Sequence, residues 1–409
     1  MRRFITPLLG LFIFSLASGY LMTLVPLRLN NNHADDILSG YMGAVYYLGL
    51  LAGSFRSDRT VVRINHIRSF AAFIALLCSS VLSLAVFSST ASWLLLRFIN
   101  GVAVAGVFVV VESWLLCESD QSNRGRILSY YMVSLYGANA LGQVFVELID
   151  TNSLMPFILL GILFSLSILP IALTKMPSPE IKSVTDLNII ALFKLTPSGL
   201  VGCLAGGLML GALYSLLPIY LSDMVGRVYT VGALLGTVMT GGMLLQYPVG
   251  RWSDYVDRRK VLIMVSLVGC FCCLAYVWLS SEHWLHPVLL FLIGGATFTL
   301  YPLAISHGCD HMQPEDIVAG TQGLLLSYSL GACIGPIFAG YFMHNIEEGL
   351  MIYFAIIMGL IALFFLIRIP YRPAIYSNKD QNFIPMPRTT PITAELDPRS
   401  EIEEIKPGA

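Results

Sequence analysis

Gly250-Arg251-Trp252-Ser253-Asp254-Tyr255-Val256-Asp257-Arg258-Arg259 has a partner 196 positions earlier, Ser54-Phe55-Arg56-Ser57-Asp58-Arg59-Thr60-Val61-Val62-Arg63. Each stretch is a short charged loop between two long apolar runs, with an aspartate fifth and an arginine tenth. The correspondence extends outward. Gly19 and Pro26 recur as Gly211 and Pro218, 192 residues on. Landmarks repeated at this distance indicate two parallel halves, an arrangement suited to rocking about a site between them.

The apolar runs themselves decide the solvent. A bilayer core about 30 Å thick needs about 20 residues of apolar helix. Stretches free of Asp, Glu, Lys and Arg cover 4–27, 37–55, 69–96, 127–146, 153–174, 197–222, 231–250, 261–281, 284–309, 317–346 and 349–367. A twelfth span lies across Arg97 and Glu112, which bracket the uncharged stretch 98–111. Over its 409 residues the chain is 56% hydrophobic and 12% charged, against roughly 25% charged in soluble domains. The expected fold class is all-α integral membrane: twelve transmembrane helices as two pseudo-symmetric six-helix bundles. Arg2 and Arg3 ahead of the first run imitate a signal peptide, but that run is long enough to span and is taken as a retained helix.

Charge placement orients the chain. With the N-terminus in the cytoplasm, 21 of the 24 Lys and Arg fall on cytoplasmic segments, as the positive-inside rule requires. Both termini are then inside a cytoplasmic (inner) membrane. The expected divisions are an N-terminal bundle over 1–174, a cytoplasmic linker over 175–196, a C-terminal bundle over 197–370, and a tail over 371–409. The tail is rich in Pro and charge and is expected to be disordered. The 24 basic and 25 acidic residues nearly cancel, so nothing points to nucleic acid. The eight cysteines lie in or beside apolar runs with no Cys-x-x-Cys spacing, and the histidines are scattered; neither suggests a metal site.

The loop at 250–259 resembles the signature G-x-x-x-D-R-x-G-R-R of the major facilitator superfamily, departing from it at Tyr255 and Asp257. The copy at 54–63 keeps Asp58, Arg59 and Arg63 but lacks both glycines. Arg97-Phe98-Ile99-Asn100-Gly101-Val102-Ala103 is similar to the family's R-x-x-x-G-x-small pattern, and Asn123-Arg124-Gly125-Arg126 to its loop between spans four and five. Gly331-Ala332-Cys333-Ile334-Gly335-Pro336 resembles its Gly/Pro hinge. Glu112-Ser113-Trp114-Leu115 looks like a bacterial YcaD-type branch. The resemblance covers residues 1 to about 370. It implies the fold, alternating access, a small-molecule substrate and coupling to protons, with no cofactor beyond the proton gradient. It names no substrate.

Physical chemistry assigns expectations to individual residues. An aspartate at one helix end can accept amides of a neighbouring helix N-terminus while an adjacent arginine reaches a carboxylate elsewhere. Asp58, Arg59, Glu118, Gly250, Asp254, Arg258 and Arg259 are therefore candidates for a cytoplasmic gate, against a role in setting topology alone. Arg97 is a cation inside a span, expected to face the interior or a water-filled cavity, or to snorkel to the outer headgroups. Glu112 follows about 22 Å further along the same helix and about 60° around it. It is either a proton carrier or a member of the inner gate. Tyr20, Asn100, Tyr214 and Tyr301 could line a central cavity, with Tyr46, Asn139, Gln143, Gln246, Gln322 and Tyr328 closing its sides. Interhelical packing would satisfy the same polar groups equally well. Gly331, Gly335 and Pro336 are hinge candidates.

A secondary active transporter is the leading expectation, exporting amphipathic compounds or carrying an anionic metabolite, and working as a monomer. No Gly-x-x-x-x-Gly-Lys-Ser/Thr motif is present to use ATP. An intramembrane hydrolase would need a nucleophile and base; neither His-Glu-x-x-His nor Gly-x-Ser-x-Gly occurs, so no enzyme and no catalytic residue is expected. A transport-dead sensor or scaffold on the same fold is the other alternative.

Overall fold

A segment crossing a bilayer must satisfy its backbone hydrogen bonds internally, and an α-helix does so. The computed structural model describes residues 2–117, 124–173, 196–224, 229–279, 284–310, 312, 317–371 and 389–392. Glu118 and nearly all of the expected linker lie outside the described residues. Regular structure among the described residues is helical throughout. In chain order the helices are α1 (Arg2–Asn31), α2 (Asp36–Ser54), α3 (Ser57–Ile64), α4 (His66–Val86), α5 (Thr90–Cys117), α6 (Arg124–Gly142), α7 (Val144–Leu148) and α8 (Met155–Ala172). They continue as α9 (Pro197–Met224), α10 (Val231–Tyr255), α11 (Arg258–Trp278), α12 (His286–Cys309), α13 (Ile317–Asn345) and α14 (Gly349–Arg368).

Ten of these are long and apolar enough to cross a membrane: α1, α2, α4, α5, α8, α9, α11, α12, α13 and α14. The remaining two long helices, α6 and α10, have 19 and 25 residues but a more polar content. Their expected spans were drawn as runs without charge, and an uncharged run is not necessarily an apolar one. Asn139, Gln246 and several glycines and hydroxyls lower the hydropathy of these two. They also pack on each other across the molecule, where less of their surface needs to suit lipid.

Helices α1, α2, α4, α5, α6 and α8 pack among themselves, as do α9 to α14. Each group is held by the same close seams. A Cβ at Gly49 of α2 would collide with the Phe98 carbonyl of α5, and one at Gly101 with the Tyr46 carbonyl. In the second group, Gly241 of α10 stands against the Phe291 carbonyl of α12, and Gly294 against that of Val238. Each position is displaced by 192 or 193 residues from its counterpart. Only glycine permits this backbone approach, the means by which helices associate without a hydrophobic drive in lipid.

The end at which α1 begins is called proximal below, and the end at which it finishes distal. The two groups of helices are joined distally. Asn30 Nδ2 donates to Asp223 Oδ1 at 2.8 Å and to Ser222 Oγ at 3.1 Å. The Glu147 carboxylate accepts the Gly232 amide at 2.7 Å, and His344 Nδ1 lies 2.8 Å from Asp35 Oδ1. Gly40 of α2 packs on the Pro336 carbonyl of α13 nearby.

Residues 389–392 differ from the expected disordered tail. Thr389, Thr390 and Ile392 are buried in the protein interior. Composition averaged over 371–409 conceals them, because four residues with two hydroxyls and one isoleucine can pack in a site prepared by other elements.

Candidate functional site

Helix α5 carries two buried charges on one rod. Arg97 is 2% exposed, so it does not snorkel to an interface. Its guanidinium carbon lies 4.5 Å from the centroid of the Tyr46 ring of α2, a cation–π contact, and Nη2 lies 3.7 Å from the Met22 sulfur of α1. Nε and Nη1 have no hydrogen-bond partner among the described residues. A buried guanidinium with two free nitrogens is costly, and an anion between α1, α2 and α5 would relieve that cost.

Glu112 is fully buried near the proximal end of α5. Tyr131 of α6 donates its hydroxyl to Glu112 Oε1 at 2.6 Å, and the hydroxyls of Thr389 and Thr390 donate to Oε1 and Oε2. Its partners among the described residues are hydroxyls rather than the loop arginines. A carboxylate so held can bind and release a proton without breaking an ion pair. Beside it, His66 at the start of α4 lies 3.0 Å from Ser113 Oγ and packs edge-on to Trp114, with ring centroids 5.7 Å apart.

The other candidates separate into groups. Asn100 faces α4, where its side-chain oxygen accepts from Ser80. Gln143 is engaged between α1 and α6: Oε1 accepts from Thr23 at 2.8 Å, and Nε2 donates to the Gly19 carbonyl at 3.3 Å. Asn139 donates to the Leu135 carbonyl of its own helix at 2.7 Å. These three amides are at work inside the first group of helices. Tyr20 is buried with a hydroxyl that has no hydrogen-bond partner among the described residues, its ring 5.6 Å from that of Phe145. In the second group, Tyr301 and Tyr328 pair at 4.7 Å; among the described residues both polar atoms of the buried Gln322 side chain are without partners, as is Nε2 of Gln246. The Phe298 ring lies 6.1 Å from Tyr214 and 5.5 Å from Tyr136 of α6, which links the two groups at mid-depth.

The signature loops sit proximally. Arg258 bridges Asp254 at 3.1 Å and Asp310, at the end of α12, at 2.8 Å. Asp257, where the family signature has glycine, caps α11 by accepting the Arg259 amide at 3.0 Å, and it pairs with the Arg259 side chain at 2.7 Å. Burial alone would push the Asp257 carboxyl up, but the Arg259 hydrogen bonds and charge outweigh it and hold the group below its ordinary value. Arg259 also donates to the Ile369 carbonyl at 3.3 Å. Gly250 is buried in α10 just ahead of this cluster. In the first half, Asp58 accepts the Arg59 amide at 2.7 Å, and Asn65, at φ 70°, turns α3 into α4 without glycine. These bonds are all made within one group of helices. Gly331 and Gly335 of the hinge motif press on the Leu204 and Leu208 carbonyls of α9, while Pro336 faces α2.

Asp35, Asp36 and His344 bring metal-type ligand atoms within 4.8 Å of one another at the exposed distal end. The His344–Asp35 pair accounts for that approach. A cavity of about 320 Å³ at the distal rim, bounded by Arg28, Met42 and Trp93, contains none of the candidate residues. Sequence reasoning missed Tyr131, Thr389 and Thr390. Tyr131 stands about two turns inside α6 among other tyrosines, and only its partner distinguishes it.

Long apolar helices packed about buried polar groups define a multi-pass membrane protein. The profile described as Major Facilitator Superfamily matches residues 8–325 and, in an overlapping second match, 228–394. The uncharacterized MFS-type transporter YcaD of Shigella flexneri is 32% identical over 366 residues, covering 88% of this chain and 94% of that protein. YcaD of Escherichia coli O8 gives the same figures: 32%, 88% and 94%. The crystal structure of the nucleoside transporter NupG superposes with a TM-score of 0.73 at 14% identity, covering 91% of this chain and 100% of that one. A bacterial homolog of the human lysosomal transporter Spinster, inward-facing and occupied, gives 0.68 at 13% identity over 89% of this chain and 95% of its own. The chain belongs to the major facilitator superfamily, and its curated relatives are transporters by name rather than enzymes.

Proposed function

We propose that the protein is a proton-coupled secondary transporter of a small anionic metabolite, working as a monomer by alternating access in the cytoplasmic membrane. Twelve helices span, α6 and α10 included. At 1.5 Å per residue, their 19 and 25 residues reach about 28 and 37 Å, enough for the core. The bundles 1–174 and 197–370 rock about their interface, and the proximal face is cytoplasmic, as the basic residues favour. Hydrogen bonds join the groups distally, which supports a resting state open toward the cytoplasm. Asp58, Arg59, Asp254, Arg258 and Arg259 are gate elements: their bonds to described residues lie within their own halves in this state, and the clusters meet across the interface in the other.

The observation that carries the substrate class is Arg97: buried, over an aromatic ring, with two nitrogens unpartnered among the described residues. Such a site favours an anion over a neutral amphipathic compound. Glu112 carries the proton, since it exchanges hydroxyl bonds rather than an ion pair when it titrates. Thermal unfolding against a metabolite panel tests the assignment, because only ligands that prefer the folded state raise its stability. Carboxylates or phosphates are expected to raise the unfolding temperature of the native chain and of Arg258→Ala, but not of Arg97→Ala. The reverse pattern would sink the assignment. Ligand-driven proton entry into proteoliposomes tests coupling, and its absence for every stabilising ligand would favour a transport-dead scaffold.

A further inference from the structure

The chain's last described segment, Thr389–Ile392, reaches from beyond α14 in the second group to α5 and α6 in the first. It is the chain's own ligand at Glu112. Thr390 is fully buried, and Thr389 and Ile392 are less than one-tenth exposed. The two hydroxyls take one oxygen each of the Glu112 carboxylate. Tyr131 completes the site, its hydroxyl 2.6 Å from Glu112 Oε1 and 3.1 Å from Thr389 Oγ1. Ile392 supplies the apolar contact, buried in the hydrophobic core. Paired hydroxyls on a buried carboxylate, with an aliphatic anchor two residues on, make a specific complex rather than a loose tail resting on a surface.

Position gives this contact a consequence. Between described residues, the hydrogen bonds and ion pairs joining the two groups of helices are distal, whereas Thr389 and Thr390 bond the first group proximally. The segment is therefore bound to the first group on the face that has to close for the transporter to turn outward, where four packed residues stand in the way of closure. It also covers the one buried carboxylate on α5.

We propose that Thr389–Ile392 is an intramolecular inhibitory plug. Docked on Glu112 and Tyr131, it keeps the carboxylate from protons and substrate and holds the proximal side open; undocked, it lets the halves close. A free ligand that displaces it must present paired hydrogen-bond donors to the carboxylate. Docking stands on geometry alone, whereas inhibition rests on the transport cycle proposed above, and the two are tested separately.

Docking is read by carbodiimide modification of Glu112 in the purified full-length protein, followed by peptide mass spectrometry. A chain ending at residue 388 and the full chain with Thr389→Val and Thr390→Val are both expected to react about tenfold faster at Glu112, the shift that loss of a charge-assisted bond brings. Modification at Glu147, on the distal face, serves as the control and should not change. A synthetic peptide of residues 383–396 added to the shortened chain should restore slow reaction. Equal rates in all forms would overturn docking. If either variant loses its monodisperse profile, a protease site inserted after Lys379 allows the tail to be cut from the already folded chain, and gel filtration with mass spectrometry confirms that the fragment has left before labelling. Faster reaction at Glu112 after cleavage supports the plug, and an unchanged rate overturns it. Inhibition is read by proton flux in proteoliposomes. The shortened chain should be several-fold faster than the full one. Faster labelling with unchanged flux would leave docking intact and overturn inhibition. Absence of flux in every form counts against the transport reading itself, while labelling still decides docking.

Discussion

A guanidinium buried with no carboxylate beside it among the described residues costs more than its contacts return, so Arg97 is kept at the expense of stability. Arg97→Met retains the bulk and removes the charge. It is expected to raise stability in detergent by about 1–2 kcal/mol and to abolish the stabilisation given by anionic ligands, both measurable in one thermal series. Asp257 is the opposite case, a charge fully used. Asp257→Ala removes the cap of α11 and the pair with Arg259, at a cost of about 1–2 kcal/mol near neutral pH. Its carboxyl is held below the ordinary value in the folded chain. The contribution is therefore complete above the unfolded value, about 3.9, and is lost as pH falls through the lower folded one. Unfolding curves of native and Asp257→Ala chains should converge in that acid window; a constant gap down to the most acid pH would show that the carboxylate charge is irrelevant.

At the scale of elements, the glycine seams set stiffness. Gly49→Val and Gly241→Val occupy equivalent places in the two groups, each against a backbone carbonyl that cannot yield. Each is expected to cost about 3 kcal/mol or more, seen as loss of monodisperse protein, and the two losses should be similar. Unequal losses would mean that the seams are not equivalent. The spans were legible in the sequence because lipid demands long apolar runs, and the doubling was legible because loops and glycines repeat. Side-chain direction was not. Asn100 and Gln143 read as cavity residues, yet one bonds Ser80 and the other Thr23, since span boundaries do not fix which helix lies across from a given face. Arg97 and Glu112 were legible as rare charges in apolar surroundings. The partners of Glu112 were not, because they come from α6 and from a tail whose composition argues against packing.

At the scale of the molecule, the proposed transport cycle makes the distal contacts the determinant of which face is open. Asn30→Ala with Glu147→Gln removes the Asn30 bonds and weakens the one to the Gly232 amide, and is expected to shift the population toward distal opening about five- to tenfold. Spin labels on the distal ends of α1 and α9 should report a longer distance in a larger fraction of molecules; an unchanged distribution would mean that packing of α2 on α13 is sufficient by itself. The run of α5 from Arg97 to Glu112 has an electrical consequence. A proton that enters distally and reaches Glu112 has travelled about 22 Å beyond Arg97, most of a core about 30 Å thick. With Glu112 as the proton carrier proposed above, loading would draw on the membrane voltage by about 2 kcal/mol per 100 mV. Hyperpolarisation would favour loading even at equal pH on the two sides.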